Sequence, residues 1–112
     1  MPDNLQQEHC IPCEGGTLPL TAVEYNPLLL QLGASWSIKD GKTLTKEFIF
    51  TNFKDALAFI NQVGAIAETE NHHPDINLHD YKKVTINLST HAIGGLSKND
   101  FIVAAKIGAL GN

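Results

Sequence analysis

Trp36-Ser37-Ile38-Lys39-Asp40-Gly41-Lys42-Thr43-Leu44-Thr45-Lys46-Glu47-Phe48-Ile49-Phe50, followed at once by Thr51-Asn52-Phe53, changes its hydrophobic period within a few residues. Before Thr51 the pattern is that of strands. Leu44, Lys46, Phe48 and Phe50 alternate with Thr45, Glu47 and Ile49, and Asp40-Gly41 is a dipeptide that accepts the positive φ of a tight hairpin turn. After Thr51 the period lengthens. Asn52 is an N-cap residue, and Phe53, Ala56, Leu57, Ile60, Val63 and Ala67 recur at three- and four-residue spacing, an apolar stripe that should lie on the sheet together with Phe59. A β-hairpin running into an amphipathic helix predicts a sheet covered by helices.

Downstream, the helical pattern stops near Glu70. Pro74 biases His73 toward extended backbone, so Asn71-His72-His73-Pro74-Asp75 should lead into a strand. Val84-Thr85-Ile86-Asn87-Leu88-Ser89-Thr90 is the clearest strand in the chain, with Val84, Ile86, Leu88 and Thr90 on one face and Thr85, Asn87 and Ser89 on the other. A turn centred on Lys82 would set His73 directly across from His91, at a Cβ separation of about 5 Å. Alternation would turn His72 the other way unless the backbone twists there. The glycines of Ala92-Ile93-Gly94-Gly95-Leu96 would allow close approach to a ligand. Ser97-Lys98-Asn99-Asp100 resembles a capping box, and the helix from Phe101 to Leu110 is apolar almost all round, which predicts self-association through it.

Upstream, Thr21-Ala22-Val23-Glu24 is a capping box for a short helix reaching about Leu32, with Leu28, Leu29 and Leu32 facing the core. Pro27 requires either a bend or a start at Asn26. Residues 1–19 form a polar, aperiodic arm, and residues 20–112 a single domain. Cys10 and Cys13 have the Cys-x-x-Cys spacing of half a zinc knuckle, but a closed site needs four ligands and no βαβ pattern suggests redox work. Two reduced thiols in an arm are the expectation.

The 112 residues carry a formal net charge of −4, with 43% hydrophobic and 18% charged residues and a mean hydropathy near zero. That composition fits a globular protein, and no basic stripe suits a nucleic-acid backbone. Met1 to Gln7 lack a cationic-then-apolar pattern and no apolar run is long enough for a membrane, so a cytoplasmic location is expected.

Four of the five histidines lie in the last 41 residues. An imidazole titrates near pH ~6.5, so neighbouring histidines can give and take a proton at neutral pH. That makes acid/base catalysis one reading of His72, His73 and His91. Three histidines, with Glu68 joining, could instead hold Zn²⁺, although the helical spacing usual for such ligands is missing. Histidines that merely decorate a polar sheet face are the third reading.

Glu68-Thr69-Glu70-Asn71-His72-His73-Pro74-Asp75-Ile76, Tyr81-Lys82-Lys83-Val84, Leu88-Ser89-Thr90-His91 and Gly94-Gly95-Leu96-Ser97-Lys98-Asn99-Asp100 together resemble the signature of the pterin-4a-carbinolamine dehydratases. The Trp36 strand, Lys46-x-Phe48-x-Phe50 and Phe53-x-x-Ala56-x-x-Phe59 fit the same pattern. The resemblance runs from about residue 20 to the C-terminus, and some longer members have a similar Cys-x-Pro-Cys-x-Gly-Gly start. Lys82 stands where the family more often has Asn.

The resemblance implies a two-layer α+β fold in the order α-β-β-α-β-β-α, its four-stranded antiparallel sheet covered on one face by helices. It implies dehydration of a 4a-hydroxytetrahydropterin to quinonoid dihydropterin, with the pterin as substrate, no cofactor and no metal, in a homodimer or homotetramer. Carried over by position, the catalytic histidines are His72, His73 and His91, and the substrate contacts are Glu68, Asp100 and Trp36. Duller roles exist for each contact: Asp100 as a helix cap, Glu68 as a solvated helix end, Trp36 as core or interface. His79 and His9 have no counterpart in the motif. A non-catalytic assembly or dimerisation factor on the same fold is the alternative function.

Overall fold

The Asp40-Gly41 pair makes the turn it predicts. Both residues take positive φ, 55° and 69°, and join β1 (Ser37–Lys39) to β2 (Thr43–Ile49) in antiparallel register. This computed structural model describes residues 5–11, 17–33 and 35–110. β2 continues through Phe50-Thr51 into α2 (Phe53–Glu70), whose first turn is capped by the Asn52 side chain accepting from the Asp55 amide at 2.8 Å. β3 (Asp75–His79) and β4 (Lys83–Leu88) complete the sheet, and α1 (Ala22–Leu32) and α3 (Lys98–Gly108) complete the helices. Strand order is β1-β2-β4-β3, antiparallel throughout. The fold is therefore the expected α+β architecture.

Strand alternation decides what is core. Leu44 and Phe48 on β2 and Val84, Ile86 and Leu88 on β4 share one face and are buried, with Phe59 of α2 packed 4.6 Å from Phe48 between ring centroids. The α2 stripe is rotated from the expected one. Ala56, Phe59, Val63, Ala67 and Glu70 are buried, whereas Phe53 and Leu57 are 49% and 41% exposed, because Phe53 sits in the first turn and Leu57 on the flank.

α1 runs through Pro27 from Ala22 and does not begin at Asn26. Its cap is as expected, the Thr21 amide donating to the Glu24 carboxylate at 2.9 Å. The β3–β4 register differs from the expectation. His79 pairs with Lys83 and Asp75 with Asn87, so the turn centres on Tyr81, with positive φ at Asp80 and Tyr81 (49° and 52°). Continued beyond the ladder, that register would set His73 opposite Ser89, two residues short of His91.

The apolar circumference of α3 is covered by its own chain. Phe101, Ile102, Val103, Ala104 and Ile107 are buried, and α1, α2 and a 3-10 turn at Leu5–Gln7 pack on the helix. Self-association through α3 was expected because one sheet could not cover it. The surface left over is taken up by the arm, where Leu5 is buried in the core. Among the described residues no helix is long and apolar enough to cross a membrane.

Candidate active site

The end of α2 delivers the histidine pair. Asn71 adopts the left-handed conformation at φ 52°, which asparagine tolerates well, and the His72 amide closes back on the Ala67 carbonyl at 3.2 Å. The chain then enters β3 behind Pro74 with His72 and His73 turned apart. His72 points inward, its Nε2 2.6 Å from Oδ1 of Asp100. His73 points outward, its Nε2 2.6 Å from Oε2 of Glu68, an exposed pair.

Asp100 is wholly buried at the start of α3 and serves three groups at once. Its Oδ2 accepts from the Ser97 amide at 2.9 Å and from Thr90 Oγ1 at 2.8 Å, while Oδ1 faces His72. The capping role and the histidine contact belong to the same carboxylate. Thr90 is also held by its bridge to Gly95, and the next residue, His91, begins a 3-10 turn (His91–Ile93) beyond the end of β4. Among the described residues the His91 side chain makes no hydrogen bond.

These strand and helix ends enclose a cavity of about 520 Å³ lined by His72, His73 and His91. The three histidines therefore line one cavity without the cross-strand pairing first expected, because His91 reaches it from the turn after β4. Asp100 and Glu68 support the site through His72 and His73. Among the described residues no three His, Cys, Asp or Glu side chains are grouped to hold a metal ion.

Trp36 is placed elsewhere. It is buried edge-on to Phe48, with the Lys46 ammonium 4.5 Å from the Phe48 centroid and 5.9 Å from its own. It lines a separate cavity of about 280 Å³ beside α3. Burial there pushes the Lys46 ammonium below its ordinary pKa. The close approach that Gly95 permits is to Pro19, since a Cβ at residue 95 would lie 2.7 Å from Pro19 Cβ. His79 bonds Asp80 and Thr85 away from the cavity.

Sequence reasoning missed the arm. Glu70, buried at the end of α2, accepts from the Cys10 amide at 2.8 Å and lies 2.9 Å from His9 Nδ1 and 3.7 Å from Lys106 Nζ. Burial opposes its ionisation, but the Cys10 amide, His9 and Lys106 outweigh burial and hold its carboxyl below the ordinary value. Cys10 and Ile11 line the histidine cavity. Cys13, the other half of the Cys-x-x-Cys spacing, lies outside the described residues. The one signal available was the stray apolar Leu5 in a polar run.

A two-layer α+β domain that gathers three histidines at its strand ends, two of them on carboxylates, is the class that fold and site define. The chain belongs to the pterin 4 alpha carbinolamine dehydratase family, which it matches over residues 18–110. Relatives in Nitrosospira multiformis and Alkaliphilus metalliredigens are 48% and 46% identical, over 96% and 94% of this chain and 93% and 94% of theirs, and each is named provisionally as a pterin-4-alpha-carbinolamine dehydratase. The crystal structure of a transcriptional coactivator/pterin dehydratase from Brucella melitensis is similar at a TM-score of 0.77 and 33% identity, covering 84% of this chain and 99% of that one. A pterin dehydratase-like RuBisCO assembly factor of the alpha-carboxysome is similar at a TM-score of 0.58 and 26% identity, covering 70% and 92%.

Proposed function

We propose that this protein is a 4a-hydroxytetrahydropterin dehydratase, working by histidine acid/base catalysis without a metal or cofactor. The carrying observation is the convergence of His72, His73 and His91 on one cavity, with two of the three each bonded to a carboxylate. In the elimination the C4a–O bond breaks and a C4a=N5 double bond forms. One group protonates the departing hydroxyl, which leaves as water, and another takes the N5 proton, so that no net proton is consumed. His73 and His91 share these two transfers, each positioned transfer being worth about 10²–10⁴-fold.

His72 binds the pterin ring and assists. With Nε2–H donated to Asp100 the neutral ring keeps Nδ1 as an acceptor, so the carboxylate selects the tautomer as well as the orientation. Glu68 does the same for His73 from the surface. His91 is the histidine without a side-chain hydrogen bond among the described residues, which suits a group that must change protonation state during the reaction. A homodimer or homotetramer in the cytoplasm is the setting we infer for the reaction, on family resemblance.

The alternative, a non-catalytic assembly or dimerisation factor, draws support from the coactivator and assembly-factor neighbours on this fold. A stopped assay with synthetic 4a-carbinolamine separates the two. Acceleration over the spontaneous dehydration, lost in His73→Ala, is expected of the enzyme. A wild-type rate equal to the spontaneous one would leave the binding role.

A further inference from the structure

We propose that the N-terminal segment His9–Ile11 is a strap that completes the substrate cavity, with the Ile11 side chain supplying an apolar surface for one face of the flat pterin ring. The inference rests on the dehydratase reading. The family match begins at residue 18, after this segment.

The strap is fastened from both sides of the cavity. Glu70 accepts from the Cys10 amide at 2.8 Å, and the buried Asn99 side chain accepts from the Ile11 amide at 3.1 Å while donating to the Ile11 carbonyl. Cys10 Sγ lies 3.6 Å from the Asn99 carbonyl, and Lys98 pairs with Glu8 at 2.7 Å. Farther back, Leu5 is sunk in the core. A backbone held this firmly carries its side chains at fixed positions.

What it carries at the cavity is apolar. The cavity is otherwise lined by histidines, acids, amides and hydroxyls, and the apolar exceptions among its described residues are Cys10, Ile11 and Ala92. Two of these three come from the strap. Ile11 is nevertheless 72% exposed, a branched apolar side chain kept in solvent beside a cavity by the bonds its own backbone makes to Asn99. A planar heteroaromatic ring presents polar edges and apolar faces. The histidines and hydroxyls answer the edges, and Ile11 answers a face, removing its own surface from water as the ligand enters.

The test is steady-state dehydration of synthetic 4a-carbinolamine by full-length wild type, Ile11→Ser and Ile11→Leu, with fluorescence titration of 7,8-dihydropterin. Because Ile11 is exposed, the serine variant should melt with wild type. Its KM and the dihydropterin Kd should rise about three- to tenfold, with a smaller change in kcat, and leucine should restore both. Wild-type KM and Kd in Ile11→Ser, with wild type active, would overturn the strap and leave the dehydratase reading standing. Wild type that neither dehydrates carbinolamine nor binds dihydropterin would overturn both.

Discussion

His72 Nε2 lies 2.6 Å from Oδ1 of Asp100, a carboxylate wholly removed from solvent. The same carboxylate holds the Ser97 amide and the Thr90 hydroxyl, so one buried side chain ties three groups together around the start of α3. Removing it orphans all three. Asp100→Ala should lose about 3 kcal/mol of stability by denaturant unfolding, the scale of a buried charged acceptor taken from its donors. Asp100→Asn keeps the shape but substitutes a donor for one acceptor oxygen. It should fold, with a lower Tm, and reduce kcat about tenfold or more as the His72 tautomer is lost. Equal kcat in wild type and Asp100→Asn would show that the carboxylate only caps the helix.

The second histidine–carboxylate pair has the same length and a different weight. Glu68 and His73 are both more than half exposed, and an ion pair in that setting contributes about 0.2–1 kcal/mol, screened further by salt. Glu68→Gln should therefore change kcat/KM less than about fivefold. His73→Ala and His91→Ala, which remove the transferring groups themselves, should each lower kcat about 100-fold. A Glu68→Gln loss as large as that of His73→Ala would give the exposed carboxylate a direct part in the chemistry.

How much of this was legible in the chain follows from how local the determining physics is. Asp40-Gly41, Asn52 and the alternation of Val84 to Thr90 act within a few residues of themselves, and the hairpin, the α2 cap and the buried face of β4 came out as read. The β3–β4 register did not, because positive φ at both Asp80 and Tyr81 moves the centre of the turn from Lys82 to Tyr81, a shift that spacing alone does not reveal. The histidine set was legible as residue types, yet His91 arrives through a 3-10 turn and not by strand pairing. Least legible was the arm. Glu70 marks only the end of the helical pattern in the sequence, since its partners His9 and Cys10 are about 60 residues away. For the same reason α3 looked too apolar for one sheet to cover.

Glu70 makes the docking of the arm dependent on pH. Burial alone would raise its pKa, and the Cys10 amide, His9 and Lys106 more than reverse that, leaving the folded carboxyl below the ordinary value of 4.5. In the unfolded chain this carboxylate takes its proton near the ordinary value, but in the folded chain only at lower pH. Its contribution to stability is therefore complete above the ordinary value and disappears as the pH falls through the folded one. Glu70→Gln should lower the Tm at neutral pH, and the gap from wild type should narrow as the pH is lowered past the ordinary glutamate range. A gap independent of pH would mean that the arm is held by packing of Leu5 and not by the carboxylate.

Cys10 tests the same docking chemically. Burial, followed by the nearby Glu70 carboxylate, pushes the thiol up to about 12, so at pH 8 almost none of it is the reactive thiolate. An unfolded cysteine titrates near pH 8.5 and would be about a quarter ionised there. In a Cys13→Ser background, which leaves Cys10 as the sole cysteine, alkylation by iodoacetamide at pH 8 should be at least about 100-fold slower in the native protein than in urea. Glu70→Gln removes the negative charge while keeping a carbonyl oxygen for the Cys10 amide, so it should raise the native rate only part of the way toward the unfolded one, since burial still opposes the thiolate. Rapid labelling of native Cys10 with Glu70 intact would mean that the segment lifts off the cavity faster than the reagent reacts. The Ile11 surface would then be present for only part of the time.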